Sequence, residues 1–167
     1  MSLFPKRMLI LGSVLVGIVL GEADRLLAQE NNPIQLQVTA RSAAANETSV
    51  YELSFFAPDT LESDAEFLLR FPQEFGLENL KIAGSFQIKG GFTIERDSAE
   101  VVVRRFGIGP PIMPGRKVQL KLGVIDNPGD LNLTHRIEMQ IRKTAEGELS
   151  NKHTARVDFV TVERKEG

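Results

Sequence analysis

Two aspartates four positions apart are the residues with the clearest possible ligand chemistry. Asp126 and Asp130 flank an Asn-Pro-Gly turn at 127–129, so two carboxylates and an amide fall within five residues. Calcium accepts carboxylate and carbonyl oxygens from protein loops. An ordinary turn explains the same residues without any ligand. We therefore expect no cofactor or metal, with calcium at Asp126 and Asp130 as the alternative.

The two histidines are the other candidate metal ligands. His135 and His153 each come just before a predicted strand, and neighbouring strands could bring them together near Asp126 or Asp130. Histidines at strand ends are more often ordinary surface residues. The chain has no cysteine, which excludes disulfides, thiolate zinc sites and a lipid-modified N-terminal cysteine.

A cluster of carboxylates is the main candidate for acid–base chemistry. Asp59, Glu62, Asp64 and Glu66 fall in a predicted loop, whereas a catalytic pair needs an apolar pocket that separates its pKa values. A solvated turn is the favoured interpretation. The sequence also lacks the Gly-x-Ser-x-Gly, phosphate-binding Gly-rich and His-Glu-x-x-His motifs. We expect no catalytic residue, and a small hydrolase is the least favoured function.

The segment 107–115 is the strongest candidate for contact with a partner. It is rich in Gly and Pro but also contains Ile108, Ile112 and Met113. The loop could fold back over the core. Alternatively, its apolar side chains could form an exposed contact for a partner protein, as exposed apolar clusters often do. Ile108, Ile112 and Met113 are therefore the candidate partner-binding residues.

Two other kinds of binding surface are disfavoured. Five cations could form a basic stripe on one sheet face: Lys81, Lys89, Arg96, Arg104 and Arg105. Interspersed carboxylates predict a mixed, solvated face instead, and a formal net charge of −2 gives no reason to expect nucleic acid. Tryptophan is absent and Tyr51 falls in an inward phase, which argues against an aromatic platform for sugars.

The elements that must position these residues have a sequence period of two. Apolar and polar residues alternate in segments such as 34–40 and 118–124, which is the pattern of a strand with one buried face. About nine such segments, separated by Gly and Pro turns, predict one all-β domain over residues 30–162. We expect a β-sandwich of about 7–9 antiparallel strands. The polar tail 163–167 is expected to fray.

Residues 1–28 predict export. A Lys-Arg pair precedes an uncharged apolar run over 8–20, and small residues follow; this is the pattern of a secretory signal peptide, with cleavage after Ala23 or Ala28. The run is shorter than the roughly 20 residues that span a bilayer, and retention as an uncleaved anchor is the alternative. No second apolar run of membrane length follows. We expect a periplasmic or extracellular protein with no membrane span after signal removal.

Several strand and turn motifs resemble those of a known group of domains. They are Tyr-Glu-Leu-Ser-Phe at 51–55, Phe-Leu-Leu-Arg-Phe-Pro at 67–72, and Pro-Gly-Arg-Lys-Val-Gln-Leu leading to Val-Ile-Asp-Asn-Pro over 114–128. Over about residues 48–145 the chain resembles exported bacterial immunoglobulin-like modules of surface and envelope proteins, including uncharacterised exported proteins of cyanobacteria.

The resemblance implies an immunoglobulin-like β-sandwich that acts as a non-catalytic structural or protein-binding module, with an unknown protein as its partner. It supplies no catalytic residue. The alternative function is a calcium-dependent adhesion or small-ligand-binding module that uses loop carboxylates.

Overall fold

The computed structural model describes residues 34–160, which contain nine strands and no helix. The strands are β1 (Gln37–Ala40), β2 (Thr48–Phe56), β3 (Glu66–Arg70), β4 (Ile82–Ser85), β5 (Gly91–Asp97), β6 (Glu100–Phe106), β7 (Lys117–Asp126), β8 (Arg136–Arg142) and β9 (His153–Phe159). The predicted all-β class is therefore confirmed. The predicted signal peptide, its cleavage positions and the tail 163–167 lie outside the described residues.

The strands form one continuous ladder that folds into two layers. Its order is β4-β7-β2-β1-β9-β8-β3-β6-β5. Rings from the two halves meet: the ring centroids of Phe55 in β2 and Phe67 in β3 are 5.7 Å apart, and those of Tyr51 and Phe71 are 6.3 Å apart. One layer is β4-β7-β2-β1 and the other is β9-β8-β3-β6-β5. The pairing is antiparallel, as predicted, except between β1 and β9, which run parallel and join the layers.

The core lies between the layers because the side chains alternate. In β2, Tyr51, Leu53 and Phe55 are buried, whereas Glu52 and Ser54 between them are only partly covered. Removing a large apolar side chain from water stabilises the fold by about 1.5–3 kcal/mol. The same alternation in β7 and β8 fills the opposing positions, so the period-two pattern directly specifies which face of each strand is buried.

Two strands are shorter than the alternation predicts. In the segment 34–40, Gln35 has φ of 48°, and this left-handed backbone interrupts the extended chain, so β1 begins only at Gln37. In the segment 80–89, where apolar residues recur at every second position except Gly84, β4 covers only Ile82–Ser85, although the side chain of Ile88 beyond it is buried. The late start of β1 therefore arises from the backbone at Gln35 and not from the apolar pattern, which alternates throughout 34–40.

The connections between strands gather at two ends of the sandwich. The first residue of β3, Glu66, pairs with Arg104 of β6 and with Arg142 of β8, while Phe56 at the end of β2 pairs with Lys117 at the start of β7. One end, called the four-loop end, therefore carries 57–65, 86–90, 107–116 and 143–152. The other end also carries four connections, 41–47, 71–81, 98–99 and 127–135, and is called the opposite end.

Candidate functional site

A buried arginine holds two connections of the four-loop end together. Arg105 lies on the inner face of β6, in phase with the buried residues before it. Its guanidinium donates hydrogen bonds to the carbonyl oxygens of Leu61 (2.8 Å), Glu62 (2.6 Å) and Pro110 (3.1 Å). Charge-assisted bonds of this kind are stronger than neutral ones. Arg105 therefore ties the β2–β3 connection to the β6–β7 connection.

The surroundings of Arg105 are unlike those expected from the sequence. Burial lowers the pKa of its guanidinium below the ordinary value, and the charges of Glu62 and Asp64 act in the opposite direction. Its Nε has no hydrogen-bond partner among the described residues. The prediction that Arg105 belongs to a solvated face is wrong, because the alternation of β6 turns this side chain inward.

Ile112 is the part of the segment 107–115 that folds back over the core. Its backbone forms a bridge with Leu61, with N···O distances of 2.9 and 3.0 Å, and its side chain is only 9% exposed. Ile112 therefore packs in the core cluster. Its prediction as an exposed contact residue is corrected: the β2–β3 connection offers it a backbone partner, so the side chain points inward.

The other two candidates from this segment point outward. Ile108 is fully exposed and Met113 is 59% exposed. Each lies two positions before a residue whose backbone is fixed by a neighbouring connection: the carbonyl of Pro110 accepts a hydrogen bond from Arg105, and the N–H of Gly115 donates to the carbonyl of Ala57 at 2.8 Å. The segment thus combines a buried anchor with exposed apolar side chains.

A second connection packs against this segment and adds to its apolar surface. Gly109 approaches the carbonyl of Lys89 so closely that a Cβ there would lie 2.2 Å from the oxygen, and a Cβ at Gly91 would lie 2.3 Å from the ring of Phe106. Only glycine permits the contact of residue 109 with this backbone carbonyl. Phe86 in the same connection is 83% exposed. Residues 86–91 and 106–117 together are called the apolar loop pair.

Exposed apolar side chains are concentrated at the four-loop end. Of the ten large ones among the described residues, six lie there: Phe56, Phe86, Phe106, Ile108, Met113 and Leu149. Single exposed apolar residues are common on soluble proteins, whereas a group of them at one end is a candidate interaction surface. The remaining four are spread over other parts of the sandwich.

Charge divides the four-loop end into two halves. The apolar loop pair carries Lys89, Arg116 and Lys117 and no carboxylate. The Nζ of Lys89 lies 5.8 Å from the centroid of the Phe86 ring, within the range of a cation–π contact. The charge of Lys89 therefore lies next to an exposed aromatic side chain.

The other half, 57–65 and 143–152, is called the acidic loop pair and carries five carboxylates against two lysines. Lys143 donates to Asp59 at 2.6 Å, and the backbone N–H of Ala145 donates to Asp64 at 3.1 Å. The bond from Lys143, followed by one from a backbone N–H, lowers the pKa of Asp59. These carboxylates lie on the surface, as the predicted solvated turn requires.

Glu66, the fourth member of the predicted acidic turn, is not solvated. It is 1% exposed and accepts hydrogen bonds from Arg104, at 2.6 Å, and from Arg142. The prediction is wrong for this residue because Glu66 begins β3, which lies between β6 and β8. A carboxylate at this position is covered and needs cationic partners.

The two candidate calcium ligands are engaged separately at the opposite end. Asp126 accepts a hydrogen bond from the hydroxyl of Thr48, and Asp130 accepts one from the backbone N–H of Asn132 at 2.9 Å. Within residues 34–160, no three His, Cys, Asp or Glu side chains are placed to hold a metal ion.

The two histidines do not meet. Val157 of β9 donates to the carbonyl of His135, whereas His153 pairs with Met139. Four residues of β9 separate the two positions, about 13 Å at the usual rise of a strand. The structure therefore does not bring the two histidines together, and the favoured interpretation as ordinary surface residues is wrong for His135. His135 is buried, with its ring centroid 5.5 Å from that of Phe75.

A polar network that the sequence did not reveal closes the opposite end. The hydroxyl of Tyr51 donates to Oδ1 of Asn127 at 2.6 Å, and Nδ2 of Asn127 donates to the carbonyls of Ser42 (3.0 Å) and Ala44 (2.8 Å). Burial, and to a smaller extent the charge of Asp126, raise the pKa of Tyr51 above its ordinary value. Asn127 is thus a structural residue rather than part of a ligand site.

A cleft of about 650 Å³ opens between β5 and the β3–β4 connection. Phe75, Leu77 and Ile94 line its apolar side, with Glu78 and Arg96 at its polar side. Arg96 donates to the carbonyl of Leu77, so its guanidinium holds the connection against β5. The cleft is therefore closed at one side by a structural hydrogen bond.

No family model matches the chain, and no curated protein sequence matches it. Among solved structures, a cohesin module of a Clostridium perfringens family 33 glycoside hydrolase aligns with a TM-score of 0.48 at 12% identity, over 75% of this chain and 96% of that one. The collagen-binding subdomain of an Enterococcus faecalis surface protein gives 0.45 at 10% identity, over 78% and 99%.

A Nocardia farcinica protein described as having an immunoglobulin-like fold aligns with a TM-score of 0.43 at 14% identity, over 74% of this chain and 97% of that one. Because all three scores are below 0.5, the fold assignment depends on the strand order of the chain itself. Residues 34–160 include no helix that could cross a membrane.

Proposed function

We propose that the protein is an exported, non-catalytic binding module whose apolar loop pair contacts a partner protein at the cell envelope or outside the cell. The observation that supports this function is the exposure of Phe86, Ile108 and Met113 in adjacent connections. Export is supported by the basic and apolar pattern of residues 1–28.

The physical argument concerns how these side chains are held. Aromatic residues and methionine are enriched at the centres of protein interfaces, where a few anchors supply most of the binding energy. Arg105 and the bridge between Leu61 and Ile112 fix the backbone below the anchors. Binding therefore requires little ordering of the loops, which reduces its entropic cost.

The double variant Ile108→Asp/Met113→Asp tests this surface. We expect the native protein, recovered from the cells that produce it after mild cross-linking, to carry a partner protein that the double variant loses. Leu133→Asp is the matched control, because Leu133 lies at the opposite end and is 58% exposed, nearly the same as Met113. Equal recovery by the double variant and the control would contradict the proposal.

The proposal assigns no cofactor to the protein. Asp126 and Asp130 already bind protein donors at separate points, so calorimetric titration with calcium should produce no binding heat and no shift in the unfolding midpoint. Calcium binding that Asp130→Asn abolishes would replace this proposal with a calcium-dependent module.

A further inference from the structure

The charge division at the four-loop end identifies the kind of surface that would cover it. The apolar loop pair presents three cations and no carboxylate, while the acidic loop pair beside it has an excess of carboxylates. The boundary between the halves passes where Leu61 pairs with Ile112. A partner that covers the whole end must present the same two charges in reversed order.

A second copy of this chain meets that requirement. We propose that two copies associate end to end about a twofold axis that runs along the boundary between the two loop pairs. This rests on the proposed function, and it identifies the partner protein as the chain itself. In a twofold interface the same patch occurs on both sides, so each apolar loop pair faces the acidic loop pair of the other copy.

The alternative twofold arrangement fails on charge. An axis perpendicular to the boundary would place Lys89, Arg116 and Lys117 of one copy against the same cations of the other. Like charges that face each other across an interface are costly and suppress that pairing. The axis along the boundary instead brings the cations close to carboxylates such as Glu146 and Glu148, and covers Phe86 and Ile108 with Leu149 of the second copy.

The area of the four-loop end sets the expected strength of the association between two copies. Five strands at about 4.8 Å and two layers about 10 Å apart, widened by their side chains, give an end of roughly 500 Å² per copy. Specific interfaces bury about 1,200–2,000 Å² in total, and transient ones bury less. The dimer is therefore weak, depends on protein concentration and is sensitive to salt.

Sedimentation velocity over a range of concentrations at low salt tests the dimer. We expect the monomer to convert to dimer as concentration rises. Reversal of the cations in Lys89→Glu/Lys117→Glu, or of the carboxylates in Glu146→Lys/Glu148→Lys, should each raise the dissociation constant at least about tenfold. A mixture of these two variants should restore association, because one then has an acidic end and the other a basic end.

Leu133→Asp is the control that should dimerise like the native protein. A monomer at every concentration, a dimer unaffected by charge reversal and salt, or a failure of the mixed variants to associate would overturn the inference. The proposed function is tested separately. If the native protein is monomeric but Ile108→Asp/Met113→Asp loses a different cross-linked protein, the binding surface stands and only self-association is rejected.

Discussion

The two ends of the sandwich solve the same structural problem in different ways. Both must satisfy backbone carbonyls of long connections. At the opposite end a neutral network of Tyr51 and Asn127 does so, and the aromatic ring of Phe75 stays buried. At the four-loop end a buried cation, Arg105, satisfies the carbonyls, and Phe86 and Ile108 remain outside.

This difference separates residues that stabilise the fold from residues available for binding. The opposite end directs the rings of Tyr51 and Phe75 and the amide of Asn127 inward, so changes to these residues should lower stability. At the four-loop end the stabilising groups are Arg105 and Ile112, and the side chains above them contribute little to the core. Binding residues are often presented by loops on a rigid scaffold, and this end has that arrangement.

The largest loss of stability should come from Arg105→Leu, at the four-loop end. It removes the charged donor of three carbonyls, although those of Leu61 and Glu62 keep backbone donors from Ile112 and Ala65. Each hydrogen bond from a charged donor contributes about 1.5–3 kcal/mol. We expect the free energy of unfolding in urea to fall by about 3–5 kcal/mol. Arg116→Leu, an exposed cation in the same end, should change it by less than about 0.5 kcal/mol. Equal, small effects would show that Arg105 does not hold the connections.

A smaller loss of stability should follow from Asn127→Ala at the opposite end. The substitution removes the partner of Tyr51 and the donor to Ser42 and Ala44, so we expect a loss of about 2–3 kcal/mol. Asn79→Ala, at an exposed position of the same end, is the control. Hydrogen exchange should show opening of 41–47 in Asn127→Ala, and unchanged protection there would count against the network.

The pH dependence of stability should identify Tyr51 as a buried phenol. Folded Tyr51 has a raised pKa, so it keeps its proton where an unfolded tyrosine, with a pKa of about 10, loses it. The contribution of Tyr51 to stability is therefore complete below about pH 10 and falls by about 1.4 kcal/mol per pH unit above it. Tyr51→Phe should remove this part of the alkaline decline.

The same residue permits a direct optical measurement. Tyr51 is the only tyrosine and the chain has no tryptophan, so phenolate absorbance reports this group alone. The folded protein should show no ionisation near pH 10, while the protein in denaturant should. Ionisation of the folded protein at the ordinary pKa would show that the network is open to solvent.

The smallest change in stability should come from Ile108→Asp. Its side chain is fully exposed, so we expect a change in unfolding free energy within about 0.5 kcal/mol. Ile112→Asp, four residues away and buried, should cost more than about 3 kcal/mol because it places a charge in the core. Similar losses in the two variants, measured by thermal and urea unfolding, would remove the distinction between anchor and exposed contact.

Local alternation was sufficient to predict where strands occur, but not the bounds of β1 and β4 or the contacts between the connections. The nine strands follow from residues that alternate, and the phase of β6 already placed Arg105 inward with Val101 and Val103; a strict use of that phase would have identified it. Ile108 and Ile112, by contrast, have the same type and similar neighbours. Only the pairing of Ile112 with Leu61, 51 positions earlier, distinguishes them.

The carboxylates show the same limit. Asp64 and Glu66 are two positions apart, yet one lies on the surface and the other is buried between two arginines. The difference arises from β6 and β8, which flank the start of β3 and are distant in sequence. The network around Asn127 likewise joins residues that are far apart in the chain. The local sequence could therefore predict only a turn at 127–129.

The central claim is that the four-loop end is the contact surface. The most direct test places a photo-activated cross-linking residue at position 108 and, in a separate variant, at position 133. Both variants are cross-linked in the cells that produce the protein. The account predicts a discrete protein adduct from position 108 and none from position 133, because both positions are exposed but only the first belongs to the apolar loop pair. No adduct from position 108, or the same adduct from both, would contradict it.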